Sequence, residues 1–156
     1  MADYQLKRFA VTNAAGLIEL TGLLHDEAFE VAEVAFESKL GVATIPLRRI
    51  FHGGPERVVR KTLFCRKREV EVLRALIRIK NVKDVKTIDT EKIGTYTFVE
   101  VAFEAAASQL IFKACPKLEL RFTVSSMEIE YLEIQFAGKA VITDGLFWQK
   151  SQFVPA

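Results

Sequence analysis

The sequence is poor in cysteine, with two in 156 residues. Cys65 and Cys115 form no C-x-x-C pair, and two cysteines are too few for the disulfide framework of a small secreted domain. No apolar run approaches the roughly 18 residues that cross a bilayer, and the first residues lack the apolar stretch and cleavage site of a secretory signal. We therefore expect a cytoplasmic protein without a membrane span.

Motifs of nucleophilic and phosphate chemistry are also missing. The chain contains no G-x-S-x-G turn, no G-x-G-x-x-G and no P-loop. Glu128 and Glu130 are close carboxylates, but a spacing of two residues also describes the solvated face of an ordinary strand. The sequence accordingly predicts no cofactor and disfavours an enzyme.

Histidine is scarce as well, with His25 and His52 alone in the chain. A ligand or metal site would have to combine His25, the adjacent Asp26 and His52. No pair among them has a recognised metal-site spacing, and loop positions account for both histidines. These three residues therefore support only an alternative function, that of a small-ligand-binding barrel or an enzyme.

The dominant pattern in the chain is alternation of apolar and polar residues. Half of the residues are apolar and 27% are charged, which is the balance of a globular chain. Residues 118–124 read L-E-L-R-F-T-V, as a strand buried on one face should. We expect a single domain over residues 1–156 that is all-β, or mainly β with one or two short helices. Its strands should form an antiparallel sandwich or barrel.

Two segments fit a helical period as well as an extended one. Residues 26–40 place apolar side chains on one helical face, with Asp26 as a possible cap and Gly41 as a stop. Residues 69–80 do the same, and for these periodicity leaves helix and strand open. An internal repeat favours a strand for the first segment.

The repeat is the pentapeptide E-V-A-F-E, which occurs at residues 33–37 and again at residues 100–104. The flanking residues match in type, and upstream Ile18-Glu19-Leu20 resembles Ile77-Arg78-Ile79, which suggests an opening strand in both copies. The pattern predicts an internal duplication of a β-meander, with repeat units 17–51 and 76–115.

The repeat also predicts which residues correspond and which are buried. Residues 29–37 and 96–104 should occupy equivalent strands, because the second copy carries the β-favouring run T-Y-T-F-V. Pro46 cannot donate to a ladder, so its strand should lie at an edge or a bulge. The side chains expected in the core are those of Val34, Phe36, Val101 and Phe103.

Charge is unevenly distributed along the chain. Residues 48–86 carry 13 Lys and Arg against four Asp and Glu, a net of +9, whereas the rest of the chain carries a net of −7. This basic segment is a candidate polyanion-binding surface. Acidic strands would neutralise it by pairing with it, and few aromatic residues interleave the bases, so no nucleic-acid partner is predicted. The candidate anion-binding residues are Arg66, Lys67, Arg68, Arg74 and Arg78.

The single tryptophan, Trp148, follows Leu146 and Phe147 near the end of the chain. We expect it to anchor the core or to cover the last strand, with an exposed interface role as the alternative. The missing catalytic constellation, the repeat and the apolar composition together favour a non-enzymatic interaction or assembly module. Its partner would be a protein or a second copy of the chain. Polyanion binding and a ligand site at the histidines are the alternatives.

Overall fold

The computed structural model describes residues 4–54 and 56–154. Within these ranges the chain forms one α-helix, α1 (Ala14–Leu24), and two 3-10 turns, Val31–Glu33 and Ala105–Ala107. The strands of the described residues are β1 (Arg8–Val11), β2 (Ala28–Glu30), β3 (Ala35–Glu37), β4 (Val42–Ile50), β5 (Arg57–Lys61), β6 (Cys65–Ile79), β7 (Val82–Asp89), β8 (Thr95–Glu104), β9 (Gln109–Cys115), β10 (Leu118–Val124), β11 (Ile129–Gly145) and β12 (Gln149–Val154).

All of these strands belong to one antiparallel sheet. Its main path runs β1-β11-β6-β4-β2-β8-β9-β10-β7, with β12 beside β11, β3 beside β4 and β5 beside β6. The expected antiparallel, mainly β fold is therefore confirmed. Residues 69–80, for which the sequence left helix and strand open, lie almost entirely within strand β6.

The sheet must curve over itself to enclose its core. Nine strands spaced about 4.8 Å apart would make a flat sheet roughly 40 Å wide, and one helix about 10 Å across cannot cover that surface. Nevertheless, every strand of the main path contributes to a single buried cluster, and Ile45, Ile77, Phe112 and Phe122 in it are fully buried. Opposite parts of the same sheet therefore bury one another.

Helix α1 occupies the position where the sequence match suggested a strand. The side-chain oxygen of Asn13 accepts a hydrogen bond from the Gly16 amide at 2.9 Å and so caps the first turn. Leu17, Leu20 and Leu24 lie on the buried face of the helix. The proposed correspondence between residues 18–20 and 77–79 is wrong, because the first segment is helical and the second belongs to β6.

The two copies of the repeat meet in the middle of the sheet. Strands β2 and β8 pair antiparallel, and Phe29 lies directly opposite Tyr96, its equivalent in the repeat. Residues 29–37 do not form one strand, because the 3-10 turn Val31–Glu33 separates β2 from β3. At the equivalent place β8 continues, with a bulge between Phe98 and Glu100.

The hairpins that follow have the same register in both copies. Phe36 pairs with Ala43 across β3 and β4, and Phe103 pairs with Leu110 across β8 and β9. A shift of 67 residues relates the first pair to the second. These equivalent pairings are what a duplicated meander would produce, and the duplication itself stays a prediction.

Burial follows the predicted face in part. Val101 is buried, and Val34 and Phe36 pack against the core from its margin. Phe103 is 37% exposed, so its assignment to the core is wrong. It lies in an open groove with Ile18 of α1, where the helix leaves the end of β8 uncovered.

Pro46 lies in a central strand rather than at an edge. Strand β4 pairs with β6 on one side, where Pro46 is opposite Leu76, and with β2 and β3 on the other. The second ladder is interrupted between the pairs Ala35–Thr44 and Ala28–Arg48. Pro46 lies level with this interruption, where β4 has no partner on that side, so its missing amide leaves no ladder bond unmade. The predicted edge position is wrong.

Strands β5, β6, β11 and β12 extend beyond the main core. The outer parts of β6 and β11 (residues 65–72 and 139–145) form this extension together with β5 and β12. Its own small core contains Val70, Val72, Ala140 and Ile142, packed against Ile50 and Phe153. Register shifts in β11 between residues 133 and 139 accompany the passage from the first core to the second.

Candidate functional site

The predicted histidine site is only partly assembled. His25 ends helix α1, and its Nδ1 lies 3.1 Å from Asp26 Oδ2 with both side chains largely exposed. His52 lies in the connection between β4 and β5 and is exposed. Among the described residues no group of three or more His, Cys, Asp or Glu side chains is placed to hold a metal ion. A ligand site at this trio remains a prediction.

The five candidate anion-binding residues fall into two groups. Arg68 contacts Glu56 and also lies 3.1 Å from Asp144, Arg66 lies 3.8 Å from Glu56, and Arg78 lies 3.1 Å from Glu130. These three arginines are therefore at least partly neutralised by neighbouring strands. In the described part of the chain, Lys67 and Arg74 form no ion pair.

Arg74 faces an open groove outside the main core. It lies opposite Arg48 across β4 and β6, and the groove they line has a volume of about 610 Å³. Arg48 is already engaged, because it lies 3.6 Å from Glu30 and 5.0 Å above the Phe153 ring. The groove therefore offers one unpaired cation, at Arg74.

The most deeply buried charges form a site that the sequence did not predict. Arg49 of β4 donates from Nη1 to Glu133 of β11 at 2.9 Å and from Nε to Glu27 at 3.3 Å. Glu27, which lies between α1 and β2, also accepts a bond from the Ile50 amide at 3.3 Å. The guanidinium thus bridges two carboxylates of which one, Glu133, has a side chain with no solvent exposure.

Glu133 is also bonded to the segment that precedes β1. Its Oε2 accepts bonds from the Tyr4 hydroxyl at 2.7 Å and the Lys7 amide at 2.8 Å, and its Oε1 accepts one from the Tyr131 hydroxyl at 3.2 Å. Two of these donors belong to the N-terminal segment, and the third lies in the same strand as Glu133. The carboxylate therefore fastens the N-terminal segment to the sheet.

Burial governs the ionisation of this network. It raises the pKa of Glu27 to about 7, although Arg49 and the Ile50 amide act in the opposite direction. Burial also raises the pKa of Tyr4 to about 12, with the bond to Glu133 adding to the effect. For Arg49 burial alone would lower the pKa, but the surrounding phenol and carboxylates raise it overall.

The network links separate parts of the chain through hydrogen bonds. Every oxygen of Glu27 and Glu133 already accepts a hydrogen bond, and in the described residues no buried side-chain polar atom lacks a partner. The hydrogen-bonding groups of the network are therefore satisfied by the chain itself. The sequence does carry a signal for this site, because the period of two places Glu133 on the same face as Ile129 and Tyr131, which are buried.

The second candidate site lies at the end of the extension, where two hairpins turn side by side. The Thr62 amide donates to the Cys65 carbonyl at 2.8 Å, and the Gly145 amide donates to the Trp148 carbonyl at 2.7 Å. Each of these pairs brackets a two-residue loop. Cys65 pairs with Gly145, so the two loops are neighbours.

Both loops carry the same dipeptide, Leu-Phe. Leu63 and Phe64 form the first loop, and Leu146 and Phe147 form the second. Two-residue hairpin loops often contain Gly, Asn or Asp where a positive φ is required, but none of these four residues has a positive φ, so the backbone accepts Leu and Phe here. Leu63 is 85% exposed and Phe147 97% exposed, so neither loop gains burial from its apolar residues. The same apolar dipeptide thus projects from both loops, and packing within the chain does not use it.

Trp148 completes this apolar surface. Its side chain is 56% exposed, so the expected core or covering position is wrong. A β-carbon added at Gly145 would overlap the indole ring, which shows that the ring lies directly against that glycine. We call the surface formed by Leu63, Phe64, Leu146, Phe147 and Trp148 the hairpin tip.

Basic side chains form a row across the extension just behind the tip. Arg60 pairs with Lys67, Lys67 pairs with Thr143, and Thr143 pairs with Lys150. Directly paired residues share a face of the sheet, so the three cations lie on one face over about 14 Å, with Thr143 between Lys67 and Lys150. Within the described ranges none of the three forms an ion pair. We call Arg60, Lys67 and Lys150 the basic row.

Comparison with models of protein families, with curated proteins and with solved structures finds no match to this chain. Among the described residues, no helix has both the length and the apolar character needed to cross a membrane.

Proposed function

We propose that this protein is a non-enzymatic interaction module whose contact surface is the hairpin tip. The observation that carries the proposal is the Leu-Phe dipeptide in both adjacent two-residue loops, where all four side chains are exposed and packing within the chain does not use them. Contiguous exposed apolar surface of this kind is typical of sites that another molecule covers.

A site-specific photo-crosslinker tests the proposal without assuming the class of partner. Benzophenylalanine replaces Phe147 in one variant and Ile18 in the control, since Ile18 is an exposed apolar residue of α1 away from the tip. Irradiation of expressing cells should give adducts at residue 147 well above those at residue 18. Equal or absent adducts at residue 147 would contradict an interaction role for the tip.

Polyanion binding is the second candidate, and the basic row is the observation that favours it. Like charges directly opposite each other, as at Arg60 and Lys67, destabilise a sheet unless an anion neutralises them. Counting residues 56–69 and 143–150, seven bases face three acids, a net of +4. The net positive charge at this end of the extension would therefore attract an anionic partner.

Two partner classes expected from the sequence, a second copy of the chain and another protein, fit this proposal. A homo-oligomer or a protein partner would cover the apolar tip, and light scattering at rising protein concentration distinguishes the first from the second. A cytoplasmic location belongs to the same proposal. It is supported by the two cysteines, which are both free thiols.

A further inference from the structure

We infer that the hairpin tip inserts into the interface of an anionic lipid bilayer. The inference rests on the proposed interaction role of the tip and names the partner. It is carried by three features, which are the two Leu-Phe loops, the single tryptophan beside them and the basic row behind them.

The order of these groups along the strands matches the order of polarity at a membrane surface. The apolar loops stand foremost, the indole of Trp148 lies at their base, and the cations follow. A bilayer interface presents hydrocarbon, then a zone that favours tryptophan, then anionic phosphate groups. Each layer of the tip thus meets a layer of matching chemistry.

The distances along the strands fit the same arrangement. Each base of the row lies three residues from the nearest loop residue, about 10 Å at the rise of a β-strand. Interfacial apolar groups enter a bilayer by about 5–10 Å. When the four loop side chains reach that depth, Arg60, Lys67 and Lys150 stand level with the lipid phosphates.

A nucleic acid fits the tip less well than a membrane does. Single-strand binders interleave aromatic residues with cations along a groove, so that bases stack while phosphates are neutralised. Here the aromatic and basic groups are separated into successive layers on two projecting loops.

Trp148 is the only tryptophan of the chain, so its fluorescence reports on the tip alone. The probes are vesicles of phosphatidylcholine and vesicles in which about a third of the lipid is phosphatidylserine, at about 0.1 M salt where screening reaches about 10 Å. With the anionic vesicles we expect a blue shift and protection from acrylamide. Replacing the three bases by glutamine should weaken binding on the order of a hundredfold, at about fivefold per base.

Variants separate insertion from non-specific adsorption. The double variant Phe64→Ser and Phe147→Ser keeps Trp148 and should lose the blue shift, whereas the control Ile18→Ser should retain it. An unchanged emission with both vesicle types would overturn the inference, as would equal binding to both. In those cases adducts at residue 147 would still uphold an interaction role with another partner.

Two further results would assign the tip to a different partner. A Trp148 emission that shifts with protein concentration in the absence of lipid would assign the tip to contact with a second copy. Quenching of Trp148 by single-stranded RNA, lost when the basic row is neutralised, would assign it to nucleic acid. Either result would overturn the inference of a membrane partner.

Discussion

Arg49 and Glu133 meet at 2.9 Å from two strands that are not neighbours in the sheet. Because the carboxylate side chain has no solvent exposure, it depends on this guanidinium and on three further donors for its stability. The pair therefore links β4 to β11 across β6, which lies between them in the sheet.

Replacing Arg49 by leucine should cost about 3–5 kcal/mol, because it leaves two carboxylates buried without their cation. Urea unfolding followed by circular dichroism measures the loss. The matched control is Arg48→Leu, a neighbouring arginine that is more exposed and whose pair with Glu30 is weak. Similar losses of unfolding free energy at both positions would contradict a particular stabilising role for the buried network.

Glu27 should make stability depend on pH. Its pKa rises from 4.5 in the unfolded chain to about 7 in the folded one, mainly through burial. Between these values the folded state holds a proton that the unfolded state has released, so the free energy of unfolding falls as pH rises. Relative to Glu27→Gln, the native protein should lose up to about 3 kcal/mol across that window. A constant difference between the two proteins from acid to neutral pH would contradict this.

Two phenylalanines of β8 should differ in their importance for the core. Phe98 is buried and stacks on Phe29 with ring centroids 4.2 Å apart, whereas Phe103 lies in the open groove beside α1. Phe98→Ala should cost about 3–5 kcal/mol and Phe103→Ala clearly less. Thermal unfolding of both variants checks the order. Equal losses would mean that the groove is closed in solution.

Nucleic acid should not bind specifically near physiological salt. The arginines at residues 66, 68 and 78 have acidic partners, and the overall charge is only +2. A titration with mixed-sequence DNA and RNA at about 0.15 M salt tests this, since screening there reaches about 8 Å. Micromolar binding that vanishes when Arg60, Lys67 and Lys150 become glutamate, with the fold intact, would refute the prediction.

The fold was predictable where a single period governs a segment. The alternation in residues 118–124 gives strand β10, and the β-branched run before residue 100 gives β8. Helix α1 lies where the match between residues 18–20 and 77–79 suggests a strand, because a likeness over three residues does not fix structure, whereas Asn13 is a helix-capping residue. The predicted edge position of the strand that contains Pro46 is wrong, because the sequence does not reveal that a 3-10 turn interrupts the neighbouring ladder.

The candidate site was less predictable because it depends on long-range pairing. The Leu-Phe dipeptides at residues 63 and 146 are visible in the sequence, but only the pairing of Cys65 with Gly145 makes them neighbours. The same holds for the basic row, whose members come from three strands. Among the five anion-binding candidates, spacing alone could not separate Lys67 from the neutralised Arg68.

The strand order has a consequence for how the chain reaches its fold. Strand β7, from the earlier part of the chain, lies at the end of the main path and pairs with β10, from the later part. In the same way β11, from the later part, pairs with β6, from the earlier part. Each part of the chain thus supplies a strand that pairs with a strand of the other part. Contacts between such distant residues require costly loop closure and slow the search for the native state. We therefore expect neither part to persist as a folded intermediate, and the sheet to assemble only after the chain has been synthesised beyond β11.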